Sequence, residues 1–155
     1  MLLASPTPLV DISYRPDLHI VVVRWLGVTT DEETRRVYRQ LGALPEPLCR
    51  FWLLDARRRP SSSPAVTNWI FDVLAPQLAQ RLGGPIYLSY LISPSHLAAA
   101  ESFQQESNAA GGLRLPYRLN YASQEGDATE WLLQAQQTEA AGAAQSVADP
   151  LPAIS

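Results

Sequence analysis

The sequence predicts a single α/β domain whose five-stranded mixed sheet is mostly parallel, with an antiparallel N-terminal hairpin and about four helices. Short apolar runs alternate with amphipathic segments in the order β-β-α-β-α-β-α-β-α. Strands that alternate with helices are typical of parallel sheets joined by right-handed crossovers. The 155 residues, 46% of them hydrophobic and 17% charged, are enough to bury a core without disulfides or metals.

The predicted hairpin comprises residues 8–14 and 18–26, which are rich in β-branched and aromatic side chains. The turn Arg15-Pro16-Asp17 separates the two strands. In the second strand Ile20 to Val23 form a continuous apolar run. Because a strand buried on both faces does not alternate, this run predicts an interior strand of the sheet.

A helix is predicted to begin after Thr30. Thr30 and Glu33 have the spacing of a capping box, in which a hydroxyl and a carboxylate bond the free N–H groups of the first turn. One apolar stripe follows, made of Val37, Leu41 and Leu44. Pro45 is expected to end the helix.

The rest of the chain continues the alternation. A strand at residues 49–56, which ends near Asp55, precedes a helix at 64–82. Pro76 lies inside that helix and is expected to kink it, because proline lacks an N–H and clashes with the preceding turn. The remaining predicted elements are a strand at 86–92, a helix at 95–109, a strand at 115–122 and a helix at 125–137.

Residues 139–155 are rich in Ala, Gln and Pro and show no apolar stripe. Such a segment buries too little apolar surface to offset its ordering entropy. We therefore expect one domain at residues 1–138, followed by a disordered tail at 139–155.

Composition restricts the chemistry. All twelve basic residues are arginine, so the lysine-dependent P-loop and Schiff-base mechanisms are excluded for this chain alone. One cysteine and two histidines allow neither an internal disulfide nor a zinc site of two thiolates or three histidines. We therefore expect no metal and no cofactor. The net charge of −3 also argues against binding to nucleic acid.

The location of the protein is predicted from its apolar runs. None approaches the roughly 20 residues needed to cross a bilayer. The N-terminal segment lacks the positive charge and the long apolar stretch of a signal peptide. We expect a cytoplasmic protein without stable membrane insertion.

The most unusual segment follows the strand at 49–56. Guanidinium groups beside a helix N-terminus favour anions, and ligands of open α/β sheets bind beyond the carboxyl ends of parallel strands. The segment is thus a candidate anion- or partner-binding loop; the alternative is a solvated loop that caps the next helix. Its residues are Asp55, Arg57, Arg58, Arg59, Ser61, Ser62 and Ser63.

A second group of polar residues follows the strand at 86–92. Ser95 and His96 could lie on the same rim as Asp55, an arrangement that would suggest a hydrolase triad. No Gly-x-Ser-x-Gly motif occurs, however, and Ser95 is better explained as a helix cap. A hydrolase is therefore the least favoured hypothesis, and we predict no catalytic residues.

Several structural motifs resemble the STAS/SEC14-type family of small bacterial proteins with a SpoIIAA-like fold. They occur in a fixed order between residues 9 and 133. These motifs are the I-x-Y-R-P-D-L-H-I-V-V-V hairpin, the F-W-L-L-D-A-R-R strand end, Trp69-Ile70 leading to Pro76, and Ala128-x-x-Trp131-Leu132. The resemblance implies a β/α superhelix, and for most such proteins no reaction is known.

The resemblance implies a non-enzymatic regulatory or protein-interaction module, whose protein partner is unidentified. Related anti-sigma-factor antagonists carry a phosphorylatable serine in an Asp-Ser-x-Gly stretch. The corresponding segment here, Asp55 to Ala65, lacks that glycine and has no aspartate before a serine, so we do not transfer this role.

The alternative is a carrier or sensor of a lipid-like or anionic ligand. A hydrophobic pocket between the helix at 64–82 and the sheet would favour that alternative, whereas a filled core would favour a protein partner. The sequence leaves open whether the protein forms a homodimer.

Overall fold

The computed structural model describes residues 2–44, 48–59, 63–111 and 115–148, with the backbone alone at 103–111 and 143–148. The strands are β1 (Leu2–Leu3), β2 (Val10–Arg15), β3 (Ile20–Trp25), β4 (Phe51–Asp55), β5 (Ile86–Leu91) and β6 (Tyr117–Ala122). The helices are α1 (Asp31–Gly42), α2 (Pro64–Trp69), a π-helical turn (Ile70–Leu74), α3 (Ala75–Leu82), α4 (Pro94–Gly111) and α5 (Glu125–Ala148).

The sheet has its strands in sequential order, β1 to β6. β1, β2 and β3 pair antiparallel, and β3 to β6 pair parallel. The predicted mixed α/β fold with an antiparallel N-terminal hairpin is therefore confirmed, with six strands in place of five. The extra strand is Leu2–Leu3, which pairs with Ile12 and Ser13 and is too short to show a periodic pattern.

The sheet is covered on both faces. On one face the Tyr38 hydroxyl of α1 contacts the Tyr90 hydroxyl of β5, and the Phe71 ring packs against Tyr117. On the opposite face α5 covers the sheet, where Ser89 Oγ donates to the Ala128 carbonyl. This double coverage explains why all five residues of β4 are buried.

Helix α1 has the predicted N-terminus. Thr30 Oγ1 accepts a hydrogen bond from Glu33 N, and the Glu33 carboxylate accepts one from Thr30 N, so the capping box is complete. Val37 and Leu41 are buried as the stripe predicted. The helix ends at Gly42, and Pro45, the expected stop, lies outside the described residues.

Pro76 lies in the first turn of α3, directly after the π-helical turn. The N–H of Ala75 bonds to the carbonyl of Ile70, one residue further back than in an α-helix. This wider turn precedes the proline at the position where the sequence predicts a kink. Gly83 ends α3 in the left-handed conformation, with φ of 82°.

Helix α5 is longer than predicted. It continues through residues 139–148, so the expectation that this part of the tail is disordered was wrong; residues 149–155 lie outside the described part. The Glu139 carboxylate accepts hydrogen bonds from Arg50 Nη2 at 2.6 Å and from the Tyr87 hydroxyl at 2.9 Å. These partners are distant in sequence, and no local pattern indicates them.

Candidate functional site

Two loops lie side by side at the carboxyl ends of β3 and β4. The first is residues 26–30, and the second joins β4 to α2. Ser63 Oγ connects the second loop to the start of α1, directly after the first loop, because it donates to Asp31 Oδ2 at 3.0 Å; it also accepts a hydrogen bond from Val66 N. We call residues 26–30, 56–59 and Ser63 the β3/β4 rim.

Asp55 ends β4 beneath the rim, with 10% of its side chain exposed. Arg24 Nη1 donates to Oδ2 at 2.9 Å. Arg57 donates to both carboxylate oxygens, from Nε at 3.0 Å and from Nη2 at 2.8 Å. Burial raises the pKa of Asp55, but the hydrogen bonds from Arg57 and Arg24 outweigh this effect and leave the pKa below its ordinary value. A carboxylate held in this way is a weak base.

The ion pairs continue toward α5. Arg24 Nη1 also contacts Glu125 Oε1 at 2.5 Å, in the first turn of that helix. Three elements, β3, β4 and α5, are therefore joined by charged groups at one end of the sheet. The arrangement is a structural clamp in which each charge has a partner of opposite sign.

The three arginines of the predicted anion loop point in different directions. Arg57 folds back onto Asp55, whereas the guanidinium of Arg59 lies 4.3 Å from the centre of the Trp25 ring. Arg58 is exposed. The structure therefore does not bring the three guanidiniums to one point.

Of the three serines predicted in that loop, the structure describes Ser63 alone. Ser63 caps α2, as the alternative interpretation of the loop predicts. Its hydroxyl donates to the Asp31 carboxylate, so a phosphate placed there would face a like charge. Ser61 and Ser62 lie outside the described residues.

Ser95 and His96 lie at the start of α4. The helix begins at Pro94, so Ser95 is inside its first turn and not ahead of it as a cap; that expectation was wrong. His96 Nδ1 lies 2.9 Å from Ser93 Oγ, and Ser93 Oγ lies 3.2 Å from Ser95 Oγ. Within the described contacts, no bond joins His96 to Asp55, whose oxygens are held by arginines.

A cluster of tyrosines lies between the sheet and α1. The hydroxyls of Tyr38 and Tyr90 are 2.7 Å apart, and the rings of Tyr90 and Tyr121 stack with centres 5.4 Å apart. Burial raises the pKa of all three phenols. The phenols are therefore neutral at physiological pH. Sequence reasoning missed this cluster, because its three tyrosines come from α1, β5 and β6, which are far apart in sequence.

A groove runs along the end of β6, the last strand of the sheet. We call it the β6 groove; its volume is about 410 Å³. Its floor is formed by Asn120 to Ser123, and the helices α4 and α5 form its walls. The wall residues are Leu97, Glu101, Asp127, Glu130, Trp131 and Gln134. No local pattern in the sequence indicates this groove, because its lining residues come from three elements.

A search of the side chains that the structure describes finds no group of three His, Cys, Asp or Glu residues arranged to hold a metal ion. Among the described helices, none is both long and apolar enough to span a bilayer. Comparison with protein-family models, with curated proteins and with solved structures finds no match to this chain.

Proposed function

We propose that the protein is a non-enzymatic regulatory module of the STAS-like kind that binds a protein partner through the β3/β4 rim. One observation carries this proposal: the rim presents two large apolar side chains to solvent on one loop and an exposed arginine on the neighbouring loop. Leu26 is 43% exposed and Val28 is 65% exposed. Arg58, from the neighbouring loop, is also exposed.

This combination fits a protein interface better than an ordinary surface. Protein interfaces combine an apolar centre with arginine and a polar rim. A single exposed leucine needs no explanation, but here two apolar side chains and an arginine belong to loops joined by the Ser63–Asp31 hydrogen bond. The partner we propose offers an apolar contact flanked by carboxylates.

The state of the polar groups at the rim supports a binding role over a catalytic one. Asp55 is bound by two guanidiniums, Arg59 lies on Trp25, and Ser63 caps α2. A general base or nucleophile needs a partner poised to exchange a proton. Each of these groups is instead held in a structural contact with a neighbouring group.

The packing beneath α2 and α3 supports a protein partner over a ligand carrier. Phe71 and Tyr117 pack ring against ring, with centres 4.7 Å apart. The Leu78 side chain fills the space beside Gly42 so closely that a methyl group there would overlap it. Six apolar side chains of this segment are buried against the core, namely Val66, Ile70, Phe71, Leu74, Ala75 and Leu78.

The resemblance to STAS-like domains remains part of the proposal. The sequential order of β3 to β6 is the order that a β/α superhelix requires, which supports it. We further propose that this is a bacterial, cytoplasmic protein that does not bind nucleic acid, in keeping with its net charge of −3.

The test is affinity capture from cells of the source organism with matched variants. The double substitution Leu26→Ser with Val28→Ser removes the apolar part of the rim. Val73→Ser is the control, because Val73 is 45% exposed and lies on the π-helical turn outside the rim. We expect a protein captured by the wild type and by Val73→Ser to be lost from the double variant.

Untagged protein in solution should also compete for the captured partner. Adding excess untagged wild-type protein should displace it, whereas untagged double variant should not. Capture that survives the double substitution, while circular dichroism shows all variants folded, would contradict the rim as the binding surface.

A further inference from the structure

The β6 groove lies at an open edge of the sheet. β6 pairs only with β5 among the described strands. The groove extends over its carboxyl-terminal half, Asn120 to Ala122, and the following residue Ser123, between α4 on one side and α5 on the other. An edge strand presents backbone N–H and C=O groups that can pair with a further strand.

The pairing of β6 shows which backbone groups face the groove. Ile86 N donates to the Pro116 carbonyl, and Ile92 N donates to the Ala122 carbonyl. The even-numbered residues of β6 therefore bond to β5. The N–H and C=O of Tyr121, an odd-numbered residue on the groove floor, point away from β5.

The walls of the groove carry negative charge from both sides. Glu101 lies on α4, and Asp127 and Glu130 lie on α5. Within the described part of the chain, these three carboxylates have no arginine as an ion-pair partner. Like charges facing one cleft create a potential that attracts a cation.

Apolar and aromatic groups complete the lining. Trp131 is half-buried in the α5 wall, and Leu97 is half-buried in the α4 wall. The stems of arginine and lysine pack on apolar surface, and their charged ends are attracted to the face of a tryptophan ring. The groove therefore suits cationic side chains with long apolar stems.

We propose that the β6 groove binds an extended basic segment of a partner protein, which adds to the edge of β6 beside Tyr121. Its main chain pairs with the strand, and its arginine or lysine side chains contact Glu101, Asp127 and Glu130. A protein segment fits better than a free polyamine, because only a peptide can pair with the outward N–H and C=O of Tyr121. The site is separate from the β3/β4 rim and does not depend on the function proposed for it.

The test uses a fluorescent heptapeptide in which arginine and valine alternate, measured by anisotropy at low salt with the full chain. We expect saturable binding that salt weakens. The double variant Asp127→Asn with Glu130→Gln should bind about ten-fold more weakly. Glu32→Gln, which removes an exposed carboxylate from α1, is the matched control and should bind as the wild type does.

Two further probes test the strand pairing. N-methylation of the peptide removes main-chain donors but keeps every charge. One peptide is methylated at its odd residues and a second at its even residues. Because only alternate N–H groups of an added strand face β6, one of these two peptides should lose binding. Amide NMR signals of residues 120–123 should shift on addition of the unmodified peptide.

Three outcomes would overturn the proposal. They are no saturable binding, equal affinity for the wild type and the folded double variant, or binding of spermine as tight as that of the peptide. Because the rim double variant should bind the peptide normally, failure here is distinguishable from failure of the proposed function.

Discussion

At the scale of single residues, four polar side chains that the sequence marks as candidate site residues are held by neighbouring groups, namely Asp55, Arg57, Arg59 and Ser63. Asp55 illustrates this best, because its carboxylate is largely buried and receives hydrogen bonds from Arg24 and Arg57. Removing the charge would leave two guanidiniums without their common partner, and neighbouring positive charges repel.

Asp55→Asn should therefore lower the free energy of unfolding by about 1–3 kcal/mol, a range reduced for the partial exposure of both arginines. Denaturant titration measures it. The control is Asp17→Asn, which removes one partner of the exposed Arg15–Asp17 pair and should leave stability nearly unchanged. Equal effects of the two substitutions would contradict the clamp.

The ion pairs of Asp55 with Arg24 and Arg57 also predict that stability depends on pH. The pKa of Asp55 is lowered in the folded protein. The stability that the ionised carboxylate contributes is therefore complete above the ordinary pKa of about 4, and it is lost as the pH falls through the pKa of the folded state. The stability difference between wild type and Asp55→Asn should thus shrink as the pH falls below about 4. A difference that stays constant over this range would count against the ion pairs.

The buried tyrosines give a second prediction at this scale. Tyr90→Phe leaves the Tyr38 hydroxyl without its buried partner and should cost about 1–2 kcal/mol. Tyr38→Phe should cost a similar amount for the same reason. The double variant removes both hydroxyls, so it should lose less stability than the two single variants lose together. A double-mutant cycle measures this difference. Simple additivity would show that the two hydroxyls are not coupled.

At the scale of elements, local patterns predicted the helices and strands whose signals lie within one segment. The capping box of Thr30 and Glu33 fixed the start of α1, and the β-branched run fixed β3. The end of α5 was missed because it depends on Arg50 and Tyr87, which are far away in sequence. β1 was missed because two residues show no period.

Glu139→Gln tests the long-range contact of α5. Hydrogen bonds from Arg50 and Tyr87 reach this half-buried carboxylate, and its loss should lower the free energy of unfolding by about 1–3 kcal/mol. Amide hydrogen exchange should also become faster in the C-terminal half of α5. Glu130→Gln on the same helix is the control and should change stability by less than about 0.5 kcal/mol. Similar losses for both would mean that Glu139 does not anchor the helix.

At the scale of the whole molecule, one sheet with its strands in sequential order carries two different surfaces. The rim combines exposed apolar side chains with arginine at the carboxyl ends of β3 and β4. The β6 groove gathers carboxylates at the edge strand. The sequence pointed to the loop after β4 as a candidate binding loop, because ligands of open sheets bind beyond the carboxyl ends of parallel strands, but it did not indicate residues 26–30. It could not predict which arginines turn inward, because Trp25 and Asp55 decide that through tertiary contacts.

The central claim is that the protein acts by binding another protein and not by chemistry or by carrying a ligand. Native mass spectrometry of the protein purified from its own cells tests it most directly, because it reports bound protein, bound small molecules and stoichiometry together. We predict a defined complex with a second protein, which the Leu26→Ser, Val28→Ser double variant loses and Val73→Ser retains. A free chain that carries a stoichiometric small molecule, with no bound protein in wild type or variants, would contradict the account.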